Sequence, residues 1–235
     1  MTNKTTQGLL TGNGLSPFYD QLLQFPLFQG MSRSELLQMA GNTRFDFQKI
    51  SAGRHVVDEG EPCVRLFFLV SGTLDIFSNS DDRSYQMCER LQAPWLIQPE
   101  ALFGLTFRYT LSVRAHTDCR FIMLSKDEML RLFDDFLTFR LNLLNLLATL
   151  SQQRGHRPWR SAPKSLYERI ARFFVDHSCY PAGWKELRIL MEQLAIEVND
   201  SRLNVSRVLN DMQHRGLIEL HRGRIVIPSL ELLFM

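Results

Sequence analysis

Hydrophobic and polar positions change period several times along this chain, and each change marks an element. From Pro17 to Met39 the apolar residues recur at helical intervals, interrupted by Phe25-Pro26-Leu27-Phe28, which predicts two short helices. The second starts at Ser32 or Ser34, both natural N-caps, and stops near Gly41. From Arg44 to Leu124 the period drops to two, in Phe45/Phe47, Leu66/Phe68/Val70, Leu74/Ile76, Leu111/Val113/Ala115 and Phe121/Met123. Gly53, Gly60, Gly72, Asn79-Ser80-Asp81-Asp82, Pro94 and Gly104 punctuate these segments. Short strands spaced about ten residues apart predict a β-sandwich or barrel of the jelly-roll kind.

Helical texture returns from Ser125 to about Gln153. Its apolar set, Leu130, Phe133, Phe136, Leu137, Leu141, Leu144, Leu147 and Leu150, is wider than one buried face requires. Part can cover the β domain. Leu137, Leu141, Leu144 and Leu147 then suit a second copy of the same helix in a parallel coiled coil, the alternative being burial of both faces within one subunit. Gly155-His156-Arg157-Pro158 ends the run as a hinge, Ser165 opens a further helix that closes near His177, and Pro181-Ala182-Gly183 turns the chain.

The stretch from Glu192 to Pro228 reads as one object. Leu194, Ala195 and Val198 make one helical stripe, and Val205, Val208, Leu209 and Met212 make a second. Between them Asn199-Asp200-Ser201 supplies a residue tolerant of left-handed backbone and then an N-cap. Ala195 is small enough for two helices to cross steeply over a short turn. The second helix then presents Arg202, Leu203, Ser206, Arg207 and Asn210 outward. Arginine takes guanine O6/N7 bidentately and asparagine does the same for adenine. Arg202, Leu203, Ser206 and Arg207 are therefore the candidate base readers. Gly216 to Leu220, His221-Arg222-Gly223-Arg224 and Ile225 to Ile227 spell strand, glycine turn, strand with a basic tip, a wing placed to rest on phosphates. Ser201, Asn204, Arg215, His221, Arg222 and Arg224 are the candidate backbone contacts.

Charge agrees with this placement. The 235 residues carry a net charge of +2, but residues 154–235 hold 13 Lys and Arg against 9 Asp and Glu, while residues 1–153 hold 14 against 16. Only the C-terminal part is suited to a polyanion. Arg154, Arg157, Arg160, Lys164, Arg169 and Arg172 form a basic run beside it, either a solvated face or further phosphate contacts. Cys63, Cys88, Cys119 and Cys179 stand singly with no metal-ligand spacing, and His55 and His116 are isolated. No His-x-His with a following carboxylate exists for a metal-dependent jelly-roll enzyme, and no nucleophile–base arrangement is suggested, so no enzyme is expected. With no membrane-length apolar run and no signal core after Met1-Thr2-Asn3-Lys4, the expected location is the cytoplasm. Residues 1–14 are polar and expected to be disordered.

The order of β-roll, leucine-rich helix, hinge and winged helix-turn-helix resembles the superfamily of the cyclic-AMP receptor protein and the fumarate/nitrate regulator. Its marks are Gly60-Glu61 followed by Leu66-Phe67-Phe68-Leu69-Val70-Ser71-Gly72, then Val113-Arg114-Ala115, and the reader from Val198 to Leu209. The resemblance implies an α+β chain. It has a cyclic-nucleotide-binding-like jelly roll over residues 15–124, a dimerisation helix over 125–154 and a winged helix-turn-helix over 155–235. It also implies a homodimeric transcription regulator on a pseudo-palindromic double-stranded operator, with RNA polymerase and a small-molecule effector as further partners and no membrane. Arginines matching Arg202 and Arg207 read base edges in that family, with a glutamate between them; here that position is Leu203, so the preferred sequence should differ. A protein-docking module, or a true cyclic-nucleotide-responsive regulator, are the alternatives.

The family's nucleotide pocket carries Gly-Glu-x-x-Leu and then Arg-Ser or Arg-Thr, a backbone nest plus a fixed positive charge for the phosphate. This chain has Ile97-Gln98-Pro99-Glu100-Ala101-Leu102-Phe103 and then Arg108-Tyr109-Thr110. Pro99 removes both a carboxylate and an N–H donor, and Tyr109 stands where the arginine belongs. Pro99, Glu100, Ala101, Arg108, Tyr109 and Thr110 are thus the candidate pocket, with cyclic nucleotide not expected unless a bulge brings Glu100 and Arg108 inward. No iron–sulfur cysteine cluster precedes Cys63, and no haem is expected.

Overall fold

The computed structural model describes residues 15–156 and 159–234. The polar segment 1–14 and the hinge residues Arg157 and Pro158 lie outside them. The elements are α1 (Leu15–Leu23), a 3-10 turn (Pro26–Phe28), α2 (Arg33–Asn42), β1 (Asp46–Ile50), β2 (His55–Val57), β3 (Arg65–Ser71), β4 (Thr73–Asn79), β5 (Tyr85–Gln92) and β6 (Trp95–Ile97). A second 3-10 turn (Pro99–Ala101) leads to β7 (Ser112–Ala115), β8 (Cys119–Ser125), α3 (Lys126–Asp135) and α4 (Leu137–His156). Then come α5 (Leu166–Asp176), β9 (Lys185–Ile189), α6 (Met191–Glu197), α7 (Arg202–His214), β10 (Glu219–His221), β11 (Arg224–Ile227) and a last 3-10 turn (Leu230–Phe234). This is the predicted α+β order of roll, long helix and winged helix-turn-helix. The described residues form two compact units, one within residues 15–73, 92–109 and 115–156, the other within 74–91, 110–114 and 159–234.

In the first unit the strands run β1-β8-β3-β6, every neighbour antiparallel. The continuous apolar run at Leu66–Leu69 puts β3 at the centre, buried on both faces. Phe25-Pro26-Leu27-Phe28, which breaks the helical pattern, is the plug of this core. Phe68 meets Phe25 at 5.1 Å and Phe28 at 5.5 Å between ring centres, and Phe28 meets Phe139 of α4 at 5.4 Å. The Asn142 amide, one turn on, donates to the carbonyls of Leu27 and Gln29 and pins α4 to that plug. Where β3 leaves β8 its register slips between Leu69 and Ser71 and Gly72 follows at φ +104°. A Cβ there would stand 2.6 Å from the Asp118 carbonyl and 2.7 Å from the Cys119 sulfur, so both backbone angle and space demand glycine.

One helical run is expected after Ser125, but the chain forms two. Ser125 caps α3 by accepting from the Glu128 N–H, and Phe136 then takes an extended conformation (φ −126°, ψ 105°) that separates α3 from α4. Phe136 is buried, its N–H still donating to the Leu132 carbonyl at 3.1 Å and its carbonyl still accepting from the Arg140 N–H at 3.0 Å. Along α4, Phe139 and Leu143 face inward, whereas Leu137, Leu141 and Leu144 stay 58%, 48% and 50% exposed and Leu147 is half-buried. Positions i, i+4 and i+7 share one helical face.

The second unit has its own apolar core. Ile170, Phe174, Leu187, Leu194, Val205, Leu209, Met212, Ile218, Ile225 and Ile227 belong to it, and so does Met87 from β5. Ser165 caps α5 as expected, by accepting from the Glu168 N–H. The strands of this unit are ordered β10-β11-β9-β5-β4-β7. β9 is absent from the sequence reading because Lys185 and Glu186 look like surface residues. Both are buried, and both have charged partners.

Candidate DNA-reading surface and roll pocket

The turn between α6 and α7 is built as its residues dictate. Asn199 sits at φ +50°, and Ser201 caps α7 by accepting from the Asn204 N–H at 3.2 Å. Asp200 braces the turn, accepting from the Ser201 N–H and the Asn204 amide (2.8 Å each) and from the Arg169 guanidinium. These bonds, the Asn204 amide first, hold its carboxyl below the usual carboxylate range. Arg169 also donates to the Val198 carbonyl at 2.9 Å, so this member of the basic run is engaged in the fold. Arg154 pairs with Glu100 and Arg160 with Asp176. Asn204, a candidate phosphate contact, likewise spends its side chain on the cap.

Val205, Leu209 and Met212 point into the core, which turns Arg202, Leu203, Arg207 and Asn210 outward with Ser206 half-exposed. Arg202 is held by Glu192 of α6 at 3.0 Å, both side chains well exposed. Among the described residues Arg207 and Arg222 enter no ion pair. Leu203, 70% exposed on this polar face, is an apolar group directed at solvent. The wing turns at Gly223 (φ +70°), which leaves His221 and Arg222 exposed at its tip. Arg224 is drawn back toward Glu186 of β9 at 3.5 Å, and Arg188 shares the same carboxylate at 2.9 Å. Arg215, past the end of α7, lies 3.9 Å from Asp211 and over the Tyr167 ring.

The candidate residues of the roll pocket are largely engaged within the fold. Pro99 opens the second 3-10 turn after Gln98 at φ +36°, and the N–H groups of Ala101 and Leu102 are taken by the carbonyls of Gln98 and Pro99. Glu100 turns to Arg154 at 2.6 Å, while Pro99 and Ala101 are buried. The segment 107–109 pairs with 60–63 through a glycine bulge: the Gly60 N–H (φ +84°) donates to the Tyr109 carbonyl at 2.8 Å, the Tyr109 N–H to the Glu61 carbonyl at 3.0 Å and the Cys63 N–H to the Phe107 carbonyl at 2.8 Å. The extra residue lies on the 60–61 side, and Arg108 stays exposed, donating to the Gly60 carbonyl at 2.6 Å. Tyr109 is 4% exposed, its hydroxyl donating to the Arg65 carbonyl at 3.1 Å beside the Cys63 thiol. Burial pushes both the phenol and the Cys63 thiol up. Thr110 is exposed and belongs to the second unit.

A roll of this order ahead of a capped helix-turn-helix with a wing is the build of a DNA-binding transcription regulator. Residues 47–136 match the cyclic nucleotide-binding domain and residues 168–234 the Crp-like helix-turn-helix domain. The chain belongs to the superfamily of the cyclic-AMP receptor protein and the fumarate/nitrate regulator, and it is a DNA-binding transcription regulator. Among solved structures it is similar to a transcriptional regulator of the crp/fnr family from Eubacterium rectale, at 22% identity over 89% of this chain and 98% of that one, with a TM-score of 0.50. It is also similar to the catabolite activator protein of Thermus thermophilus (20% identity, 89% and 97% covered, TM-score 0.47) and to DNR from Pseudomonas aeruginosa (21%, 93% and 96%, 0.46). No curated protein sequence matches it. Among the described residues, no helix is long and apolar enough to cross a membrane.

Proposed function

We propose that the chain works in the cytoplasm as a homodimer on a pseudo-palindromic operator, without catalysis of its own. The observation that carries this is the outward face of α7. A Ser201-capped helix offers Arg202, Leu203, Ser206 and Arg207 together at its first two turns, where a helix-turn-helix reads base edges. Arg207 is the main guanine reader and Leu203 packs on a thymine methyl, a contact that apolar side chains make in the major groove. Arg222, His221 and Arg224 lie on phosphates. Leu137, Leu141 and Leu144 join the two copies, because one subunit leaves that stripe half-exposed.

The roll of this protein does not take a cyclic nucleotide. The buried Tyr109 and the Glu100–Arg154 pair support this reading, and the effector is either a different small molecule or none. Any contact with RNA polymerase is made from the operator-bound dimer. The test begins with selection of an operator from random duplexes, followed by retention of wild-type protein on it against salt. Failure to retain any duplex at low salt would remove the DNA reading and leave the exposed Leu203 as a protein-docking residue.

A further inference from the structure

Residues 74–91 fall inside the segment matched by the cyclic nucleotide-binding domain, yet they are built into the winged-helix unit. β5 pairs with β9 through five residue pairs, Tyr85↔Ile189 to Glu89↔Lys185. Met87 enters the core beneath the reader, and Tyr85 packs on Phe173 while its hydroxyl meets His177 Nε2 at 3.0 Å. Arg90 adds its guanidinium over the Trp184 ring at 4.3 Å. At the centre of the seam Glu89 and Lys185, 1% and 0% exposed, form an ion pair of 3.0 Å.

That pair is fully satisfied. The Glu89 carboxylate also accepts from the N–H groups of Cys179 (2.6 Å) and Tyr180 (3.1 Å), and the Lys185 ammonium donates to the Ala182 carbonyl at 2.7 Å. A buried ion pair is weak evidence for stability, because desolvation offsets most of its attraction. Its geometric consequence is stronger. Lys185 lies opposite Glu89 on one side and opposite Ile227 of β11 on the other, so β9 is clamped between the β4–β5 hairpin and the wing. The next residue of β9, Glu186, holds Arg224.

We propose that Glu89 is a positioning residue for DNA binding: through Lys185 and the 179–182 loop it sets β9, and β9 sets the wing. The hairpin of the roll sequence is then the lever by which a change at Glu89 reaches the wing, while α7 keeps its Ser201 cap. This rests on the reading that the wing lies on phosphates.

The test uses the full chain with Glu89→Gln, Arg222→Ala and the double variant. Glu89→Gln/Lys185→Met serves as a second probe, because it leaves no unpaired buried ammonium should Glu89→Gln alone fail to fold. Binding is titrated on operator, single-base-pair-changed operator and random duplex at several salt concentrations. Either Glu89 variant should weaken all three DNAs equally, roughly three- to tenfold, and lower the salt slope by about one for each phosphate that the wing no longer neutralises. Discrimination between operator and changed operator should hold within about twofold. Arg222→Ala should add little to a Glu89 variant, because the wing is already displaced. Losses that simply multiply in the double variant, or a fall in discrimination with no change in slope, would overturn the proposal. Loss from neither Glu89 variant would do the same. If Arg222→Ala alone costs nothing on any DNA, the wing reading fails and takes this proposal with it.

Discussion

The ion pair between Arg202 and Glu192 makes the two arginines of the reading face unequal, and the inequality is measurable. A good bidentate arginine–guanine contact carries ~1–3 kcal/mol of discrimination, and ~1.4 kcal/mol is tenfold in affinity. Arg207 has no ion-pair partner to give up among the described residues, so Arg207→Ala should show that full cost, roughly 5- to 150-fold. Arg202 must first leave Glu192, 3.0 Å away. Both side chains are more than half exposed, so the pair is worth only ~0.2–1 kcal/mol. Arg202→Ala should therefore cost less than Arg207→Ala by up to about that amount. Glu192→Gln should tighten operator binding by up to about fivefold, since it removes the competitor and a negative charge near phosphates. The part of that gain due to the competitor should vanish in an Arg202→Ala background, which a double-mutant cycle reads directly. Fluorescence anisotropy on operator, single-base-changed operator and random duplex supplies all the constants. Unchanged binding in Glu192→Gln, alongside a clear loss in Arg202→Ala, would refute the competition. Equal losses for Arg207→Ala on all three DNAs would show that it touches only backbone.

Four further outcomes are expected. Leu141→Arg/Leu144→Arg should turn a dimer into a folded monomer, seen by sedimentation at micromolar protein; a wild-type monomer there would sink the dimer reading. Calorimetry at millimolar cyclic AMP should show no saturable heat, whereas micromolar binding would mean that the Glu100–Arg154 pair opens and Arg108 turns inward. Gly72→Ala should cost about 2–5 kcal/mol in denaturant unfolding, from positive-φ strain together with the clash on Asp118 and Cys119; a loss below about 1 kcal/mol would mean that the turn relaxes freely. Asp200 has a lowered folded pKa, so its contribution is present above the unfolded value near pH ~4 and disappears as pH falls through the lower folded value. Asp200→Asn should flatten that part of the acid-unfolding curve, and an unchanged curve would show that the turn does not depend on the carboxylate.

Legibility followed the range of the interactions involved. The helix-turn-helix could be read because its determinants are local. Ser201 and Asn199 act within a few residues of themselves, and Val205, Leu209 and Met212 repeat at the period of a helix. Arg108 and Tyr109 are successive in the chain, and the first is exposed while the second is buried. The break at Phe136 was not legible, because a phenylalanine inside a leucine-rich run carries no helix-stop signal. Its extended backbone goes with a buried seat for the ring, which distant segments supply.

β9 and its seam with β5 lay further out of reach. Glu89 and Lys185 are 96 positions apart, and each alone reads as a surface charge. What buries them is their mutual pairing and the N–H groups and carbonyl of the 179–182 loop, and no periodicity encodes that coincidence. Sequence by itself determined the type and order of most elements and the capped turn ahead of α7, because backbone preference and side-chain period act over a few residues. Tertiary structure alone decided that residues 74–91 belong with the wing, because burying two opposite charges is tolerable only where distant segments bring them together with their hydrogen-bond partners.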